Sequence, residues 1–250
     1  MPFHSSKWSL HKFYSRSSRL RSFLPPTAIL SRKSLAEYLS RYGTVYVKPD
    51  REHMGRGVTR VWRSGGRYFL VRVKGKEVAK RSTDDIYRYI RKKSGSVRHI
   101  VQKAIPLAKV NGRPFDIRVM MMRNGSGRWE YAGMLAKVAG KGSIITNVRR
   151  GGGYALQVGT ALDAFLSKEK RQAVKQNLVR LSYQISRRFD HYKRSSQIGL
   201  DFGVDRTGRI SLIEVNFDFP SHALFLRLKD KTFYRRIKRL AKAYKARRKK

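Results

Sequence analysis

Apolar positions along this chain switch repeatedly between a helical and a strand spacing, and the switches divide it into short elements. Leu35, Tyr38, Leu39 and Tyr42 fall at helical spacing, which predicts a helix over 34–42 ended by Gly43. Strands are predicted over 44–48, 58–62 and 67–73, the last two around the turn Ser64-Gly65-Gly66. A helix over 82–92 has Ser82 or Thr83 as its cap, and a strand over 99–104 follows. Positions 115–122 alternate strongly, with Asp116, Arg118, Met120 and Met122 on one face. Strands are predicted over 129–138 and 143–146. The clearest helix spans 168–192 behind Ser167, with Val174, Leu178, Leu181, Ile185 and Phe189 as one apolar stripe. A basic helix over 229–250 sets Phe233, Ile237, Leu240 and Tyr244 against lysines and arginines, and packing on the body with a solvated basic face is the expected role.

Strands interspersed with helices, joined by antiparallel hairpins, point to an α+β fold rather than a doubly wound sheet. The expected divisions are a lead-in segment and helix (1–43), a glycine-flap subdomain (44–105), a metal and substrate subdomain (106–226) and the basic helix (227–250). At 250 residues with 40% hydrophobic content, the chain can bury a substantial core. No apolar run of about 18 residues is present, so no membrane span is expected. Zero cysteines exclude disulfides, thiolate metal sites and a cysteine nucleophile.

The net charge of +42 changes the picture most. Residues 1–41 hold 8 lysines and arginines against one acid, and 227–250 hold 13 against one, but the middle is also strongly basic. Such a field attracts nucleic acid, an anionic membrane or an acidic peptide, and charge alone does not choose among them. A transit peptide is the other reading of the Ser- and Arg-rich start.

The stretch 198–216, IGLDFGVDRTGRISLIEVN, carries the chemistry. It reads as a hairpin with a four-residue loop at Asp205-Arg206-Thr207-Gly208. If Val204 pairs with Arg209, Asp201 stands opposite Leu212 and diagonal to Glu214. Strict alternation then puts Ile210, Leu212, Glu214 and Asn216 on one face. Asp201, Glu214 and Asn216 so placed could share a hard cation. Upstream, strand-borne Lys48 runs into Gly55-Arg56-Gly57-Val58, a glycine loop between two strands that can lay N–H groups over phosphates. It lacks the ending of a Walker loop.

The order Lys48-Pro, Gly-x-Gly, Gln102-Lys-Ala104-Ile, Phe-Asp116-Ile-Arg118, Asn147 with Gly151-Gly152, Gly-x-Asp201 and Ile-Glu214-Val-Asn216 resembles the ATP-grasp superfamily. It is most similar to the YheC/YheD-type, spore-coat-associated proteins, and the likeness reaches back through Lys7-Trp8 and Leu24-Pro-Pro-Thr27. That upstream reach argues against a transit peptide. Asn147 with its glycines also resembles the ribosomal-protein glutamate ligases.

The resemblance implies an ATP-grasp fold of two α+β subdomains clamping ATP, largely without the usual upstream domain. Lys48, with Lys7 or Lys12, would contact phosphates, and Gly55, Gly57 and Val58 would cover them. Gln102 and the backbone at Ala104 would hold adenine, and Asp116 would lie at the ribose. Arg118 would stabilise the transferring phosphoryl group, and Asn147 would assist at metal or substrate. Glu214 would bridge two Mg2+ ions (Mn2+ as the alternative), with Asp201 and Asn216 each on one. Lys137 stands where a related family has an arginine near the acyl phosphate, which keeps the charge and loses the bidentate fork.

The implied activity is ATP-dependent ligation of a carboxylate to an amine, on an acidic peptide, protein or amino acid, with glutamate addition as one form. A second subunit or a partner protein would complete the substrate site. The setting implied is the bacterial cytoplasm or the spore coat. His53, His99, His191 and His222 are scattered and form no catalytic pairing. Two other readings stay open: a non-catalytic, polyanion-binding coat protein on this body, and a nucleic-acid or anionic-surface binder acting through 229–250.

Overall fold

A computed structural model describes residues 6–52, 55–73, 75–217 and 220–247; His53 and the terminal residues 248–250 of the basic helix lie outside the described residues. The chain opens with two helices, α1 (Lys7–Ser15) and α2 (Ser18–Arg21), and a short strand, β1 (Thr27–Ile29). Then come α3 (Arg32–Tyr42), β2 (Thr44–Pro49), β3 (Thr59–Ser64), β4 (Arg67–Arg72), β5 (Val78–Lys80), α4 (Thr83–Ser94) and β6 (His99–Lys103). These strands form one antiparallel sheet in the order β1-β6-β2-β3-β4-β5. Its two helices start at serine caps: Ser31 and Ser82 each accept a backbone N–H of the first turn. Their apolar stripes bury Leu35, Leu39, Ile86 and Ile90 against Val45, Val47, Val61 and Val101. The opposite face of the sheet, carrying Tyr46, Lys48, Ile100 and Gln102, is left for the cleft.

The second half adds β7 (Lys109–Val110), β8 (Arg113–Arg123), β9 (Trp129–Val138), α5 (Val148–Gly151), β10 (Tyr154–Leu156), α6 (Val158–Asp163), α7 (Lys168–Phe189), β11 (Gln197–Val204), β12 (Ile210–Asn216) and α8 (Thr232–Arg247). Its sheet runs β10-β9-β8-β11-β12, again antiparallel. The predicted α7 stripe from Val174 to Phe189 is buried against one face. On the other face, α8 covers one end by packing Ile237 and Leu240 with Met120, Met122 and Leu135. The rest of that face looks towards the first sheet.

Two expectations change. Residues 143–146 form no strand; they belong to the loop before α5, where the Tyr46 hydroxyl donates to the Ile144 carbonyl at 3.0 Å. The β11–β12 register also differs. The hairpin loop is three residues, Arg206-Thr207-Gly208, closed because Asp205 N–H donates to the Arg209 carbonyl at 3.1 Å. Gly208 takes the left-handed position with φ 89°. Val204 therefore faces Ile210, and Phe202 faces Leu212. A bulge at Ile213 then brings Asp201 directly opposite Glu214. The extra residue reverses the alternation: Ile210, Leu212, Val215 and Phe217 all enter one core, while Glu214 and Asn216 turn to the cleft. The shared face expected for Leu212 and Glu214 is thus wrong, although the three oxygen-bearing side chains do end up together.

Candidate active site between the two sheets

The floor of the cleft is a cluster of four charges from adjacent strands. Asp116 and Arg118 come from β8, Lys137 from β9 and Asp201 from β11, and register sets Asp201 beside Arg118 and Asp116 beside Lys137. Arg118 grips Asp201 bidentately, Nε to Oδ1 at 2.6 Å and Nη2 to Oδ2 at 2.9 Å. Lys137 Nζ lies 3.0 Å from both Asp201 and Asp116 carboxylates. Asn216 adds an amide N–H to Asp201 Oδ2 at 3.1 Å. Gly199, on β11 opposite Asn216, leaves room for the guanidinium: a Cβ there would come within 3.1 Å of Arg118 Cδ and 3.0 Å of Pro220.

All four groups are buried. Burial raises the Asp116 carboxyl to about 6, with Lys137 opposing and Asp201 reinforcing the shift. Burial also disfavours ionised Asp201, but Arg118 and Lys137 outweigh it and hold that carboxyl well below the usual range. Burial alone would release the Arg118 proton more easily; Asp201 more than offsets this and keeps the guanidinium charged.

The walls are less tightly paired. A cleft of about 810 Å³, open mouth included, is lined by Lys7, Leu10 and His11 from α1, Lys48 and Gln102 from the first sheet, and Ile213, Glu214 and Asn216 from β12. Lys48 Nζ donates to Gln102 Oε1 at 2.6 Å, and Gln102 Nε2 donates to the Thr27 hydroxyl at 2.9 Å. Burial lowers the Lys48 ammonium to about 8, with Glu214 opposing and Lys7 adding to the fall. Lys7 Nζ stands 3.5 Å from Glu214, whose side chain is 28% exposed.

The sequence-predicted residues divide accordingly. Lys7, Lys48, Gln102, Glu214 and Asn216 meet at the cleft, with Arg118, Lys137 and Asp201 beneath. Lys12 is exposed and sits over the Trp8 ring, so Lys7 is the cation that α1 brings in. Asp116, placed at the ribose by the resemblance, is instead buried in the charge cluster, where it accepts from Thr146. Ala104 gives its N–H to the Thr44 carbonyl at 3.1 Å. Gly55 backs onto Ile145, Gly57 backs onto Pro49, and Val58 is buried. Asn147, half-buried, opens the turn into α5, its carbonyl accepting the Gly151 N–H at 2.7 Å. Thr27, Thr146 and Ile213 lie inside or beside the stretches that carry the resemblance, but sequence reasoning assigned none of them a role of its own.

Asp201, Glu214 and Asn216 are hard oxygen donors of the kind Mg2+ takes. Among the described residues no group of three or more His, Asp or Glu is arranged for a metal, so the set depends on the Asn216 amide as its third member.

Comparisons with known proteins agree on the architecture. Against solved structures, the chain is similar to the D-cycloserine synthetase DcsG, with TM-score 0.56 and 12% identity over 95% of this chain and 71% of that one. It is also similar to the C-terminal domain of Pby1 from K. lactis, an ATP-grasp enzyme interacting with the mRNA decapping enzyme Dcp2, with TM-score 0.52 and 14% identity over 92% and 68%. Among curated proteins it is 27% identical to the endospore coat-associated protein YheD of Bacillus subtilis (strain 168), over 88% of this chain and 49% of that protein. It is 22% identical to YheC of the same strain, over 84% and 58%. The chain thus spans about half the length of the curated relatives it matches. The family model of the YheC/D-like ATP-grasp proteins matches residues 2–246, and with the two-sheet cleft this places the chain in that ATP-grasp family.

Proposed function

We propose that this chain is an ATP-dependent carboxylate–amine ligase. The observation that carries the proposal is that Glu214 and Asn216 line one cleft with Lys7 and Lys48, with Asp201 paired across the strands to Glu214 just beneath. Lys7 and Lys48 would bind phosphate oxygens, with Gly55–Val58 as the covering flap. Gln102 and the backbone near Ala104 form the proposed adenine side. Asp201, Glu214 and Asn216 would hold Mg2+ (one or two ions, or Mn2+), which when bound supplies positive charge to phosphate oxygens.

The reaction proceeds in two balanced steps. A substrate carboxylate oxygen attacks the γ-phosphorus, the bond to the β-phosphate oxygen breaks, and ADP leaves. An amine then attacks the acyl phosphate carbon, inorganic phosphate departs and the nitrogen loses a proton, leaving an amide. Both steps build negative charge on oxygen. Arg118 and Lys137, fixed charges buried beneath the cleft, would meet that charge. Asn147 is proposed to assist at the substrate. The proposed acceptor is an acidic peptide, protein or amino acid, in the bacterial cytoplasm or at the spore coat, with a second subunit or partner completing the site.

The test is incubation with ATP, Mg2+ and pools of amino acids and acidic peptides, followed by mass spectrometry for new amide bonds. ADP release that depends on an acceptor is the expected result. Failure of the purified chain to bind ATP with Asp201 and Glu214 intact would sink the proposal. A second reading, a polyanion-binding coat component without catalysis, is favoured by the +42 charge and by the coat association in the relatives' names. It predicts that Glu214→Ala leaves the cellular role unchanged.

A further inference from the structure

Asp50 is only 1% exposed, and it is surrounded by donors. It follows Pro49 at the end of β2, two residues beyond Lys48. Its carboxylate accepts from the Ser6 hydroxyl at 2.9 Å, from Trp8 N–H at 2.9 Å and from Arg98 Nε and Nη2 at 2.9 and 2.6 Å. Its carbonyl accepts the Lys7 N–H at 2.9 Å. Two first-turn amides of α1, which have no partner within the helix, are thus satisfied by one residue from another element. The first turn of α1 contains no acid of its own, so Asp50 also supplies the anion that a helix N-terminus favours. Arg98 belongs to the turn before β6, and Asp50 N–H donates to the Arg98 carbonyl at 2.9 Å.

Asp50 therefore ties the start of α1 to the end of β2, an interior strand of the first sheet, beside Lys48. The consequence falls on Lys7. Its backbone is held by Asp50, and its ammonium reaches both the Glu52 carbonyl and Glu214. Lys7 is the cation that the N-terminal segment brings to the cleft wall beside Glu214, while Lys12 sits over the Trp8 ring. We propose that Asp50 is a positioning residue for nucleotide binding, acting through Lys7 by anchoring the N-terminus of α1. This rests on the reading of the cleft as a nucleotide site.

The experiment titrates Mg2+ with ADP into the wild-type chain, Asp50→Asn, Lys7→Met and the double variant, and follows hydrogen exchange of the α1 amides in each without nucleotide. Asp50→Asn is expected to speed exchange at Trp8 and to weaken ADP binding about tenfold, the scale of a lost charge-assisted hydrogen bond. In the Lys7→Met background the same change should cost little more, because its effect passes through Lys7. Equal affinity of Asp50→Asn and wild type overturns the assignment, as does a full additional loss in the double variant. Absence of ADP binding by the wild-type chain overturns the nucleotide reading itself, a separate result. Should Asp50→Asn fail to fold, Ser6→Ala and Arg98→Gln each remove one partner of the carboxylate; unchanged ADP affinity in both overturns the assignment equally.

Discussion

The floor and the walls of the cleft handle charge in opposite ways. On the floor, Arg118, Lys137, Asp116 and Asp201 neutralise one another and are buried. On the walls, Lys7 and Lys48 face Glu214 at longer range, and Glu214 remains partly exposed. The floor is organised before any ligand arrives, and its energy belongs to folding. The wall has spare positive charge, and its energy belongs to binding. Substitutions should therefore separate: floor variants lose stability, and wall variants lose affinity while keeping the fold.

The largest effect is expected from Arg118→Met. It leaves Asp201 buried without its bidentate partner, and breaking such a pair costs about 3–5 kcal/mol. Urea denaturation checks it, and a change under 1 kcal/mol would erase the distinction between floor and walls. Next comes Glu214→Ala. It should reduce ATP turnover by about 10²–10³, the scale of losing one preorganised charge contact, while the melting temperature stays close to wild type. A collapse in stability there would place Glu214 with the floor.

Lys48 sharpens the wall through pH. Its ammonium, lowered to about 8 by burial, is mostly charged at pH 7 and mostly neutral at pH 9. The protonated form is the one that attracts phosphate, so ADP affinity should fall as pH rises through this range, by about tenfold. Lys48→Met should weaken binding at pH 7 and flatten the profile; a profile unchanged by the substitution would remove Lys48 from the site. The smallest effect concerns α8. Lys238→Glu with Lys242→Glu alters only its exposed side, so stability should change by about 0.5 kcal/mol or less per site. ADP binding should be untouched, and retention on a polyanion column should drop if the basic face is used. Removing α8 altogether is a poorer test, because Ile237 and Leu240 would leave Met120 and Leu135 uncovered.

Much of this was legible in the residues. The α7 stripe reflects burial on one side, the serine caps reflect unpaired first-turn amides, and the alternation of β8 separates an apolar face from one that carries Asp116 and Arg118; a single sequence displays all three directly. The order of Lys48, Gln102, Arg118, Asp201, Glu214 and Asn216 named the residues that meet at the site. The bulge at Ile213 was not legible. The 210–216 stretch alternates cleanly on paper, and the break is set by a three-residue loop and by the demand that Leu212 and Val215 share one core. Residues 143–146 carry β-branched side chains but use them across the cleft, with Ile145 against Gly55. Asp50 escaped notice because its partners are 42 to 48 positions away.

The segment before β1 has one more consequence. β12 is the last strand of its sheet, and an uncovered last strand invites pairing with another chain. Here Leu212 N–H donates to the Phe23 carbonyl at 2.7 Å, and Leu10 and Leu20 are buried in the same core as β12. The stretch that brings Lys7 to the cleft therefore also covers the free edge of the β11–β12 hairpin. A chain shortened to begin at residue 25 would expose that edge and should aggregate at concentrations where the full chain stays dispersed.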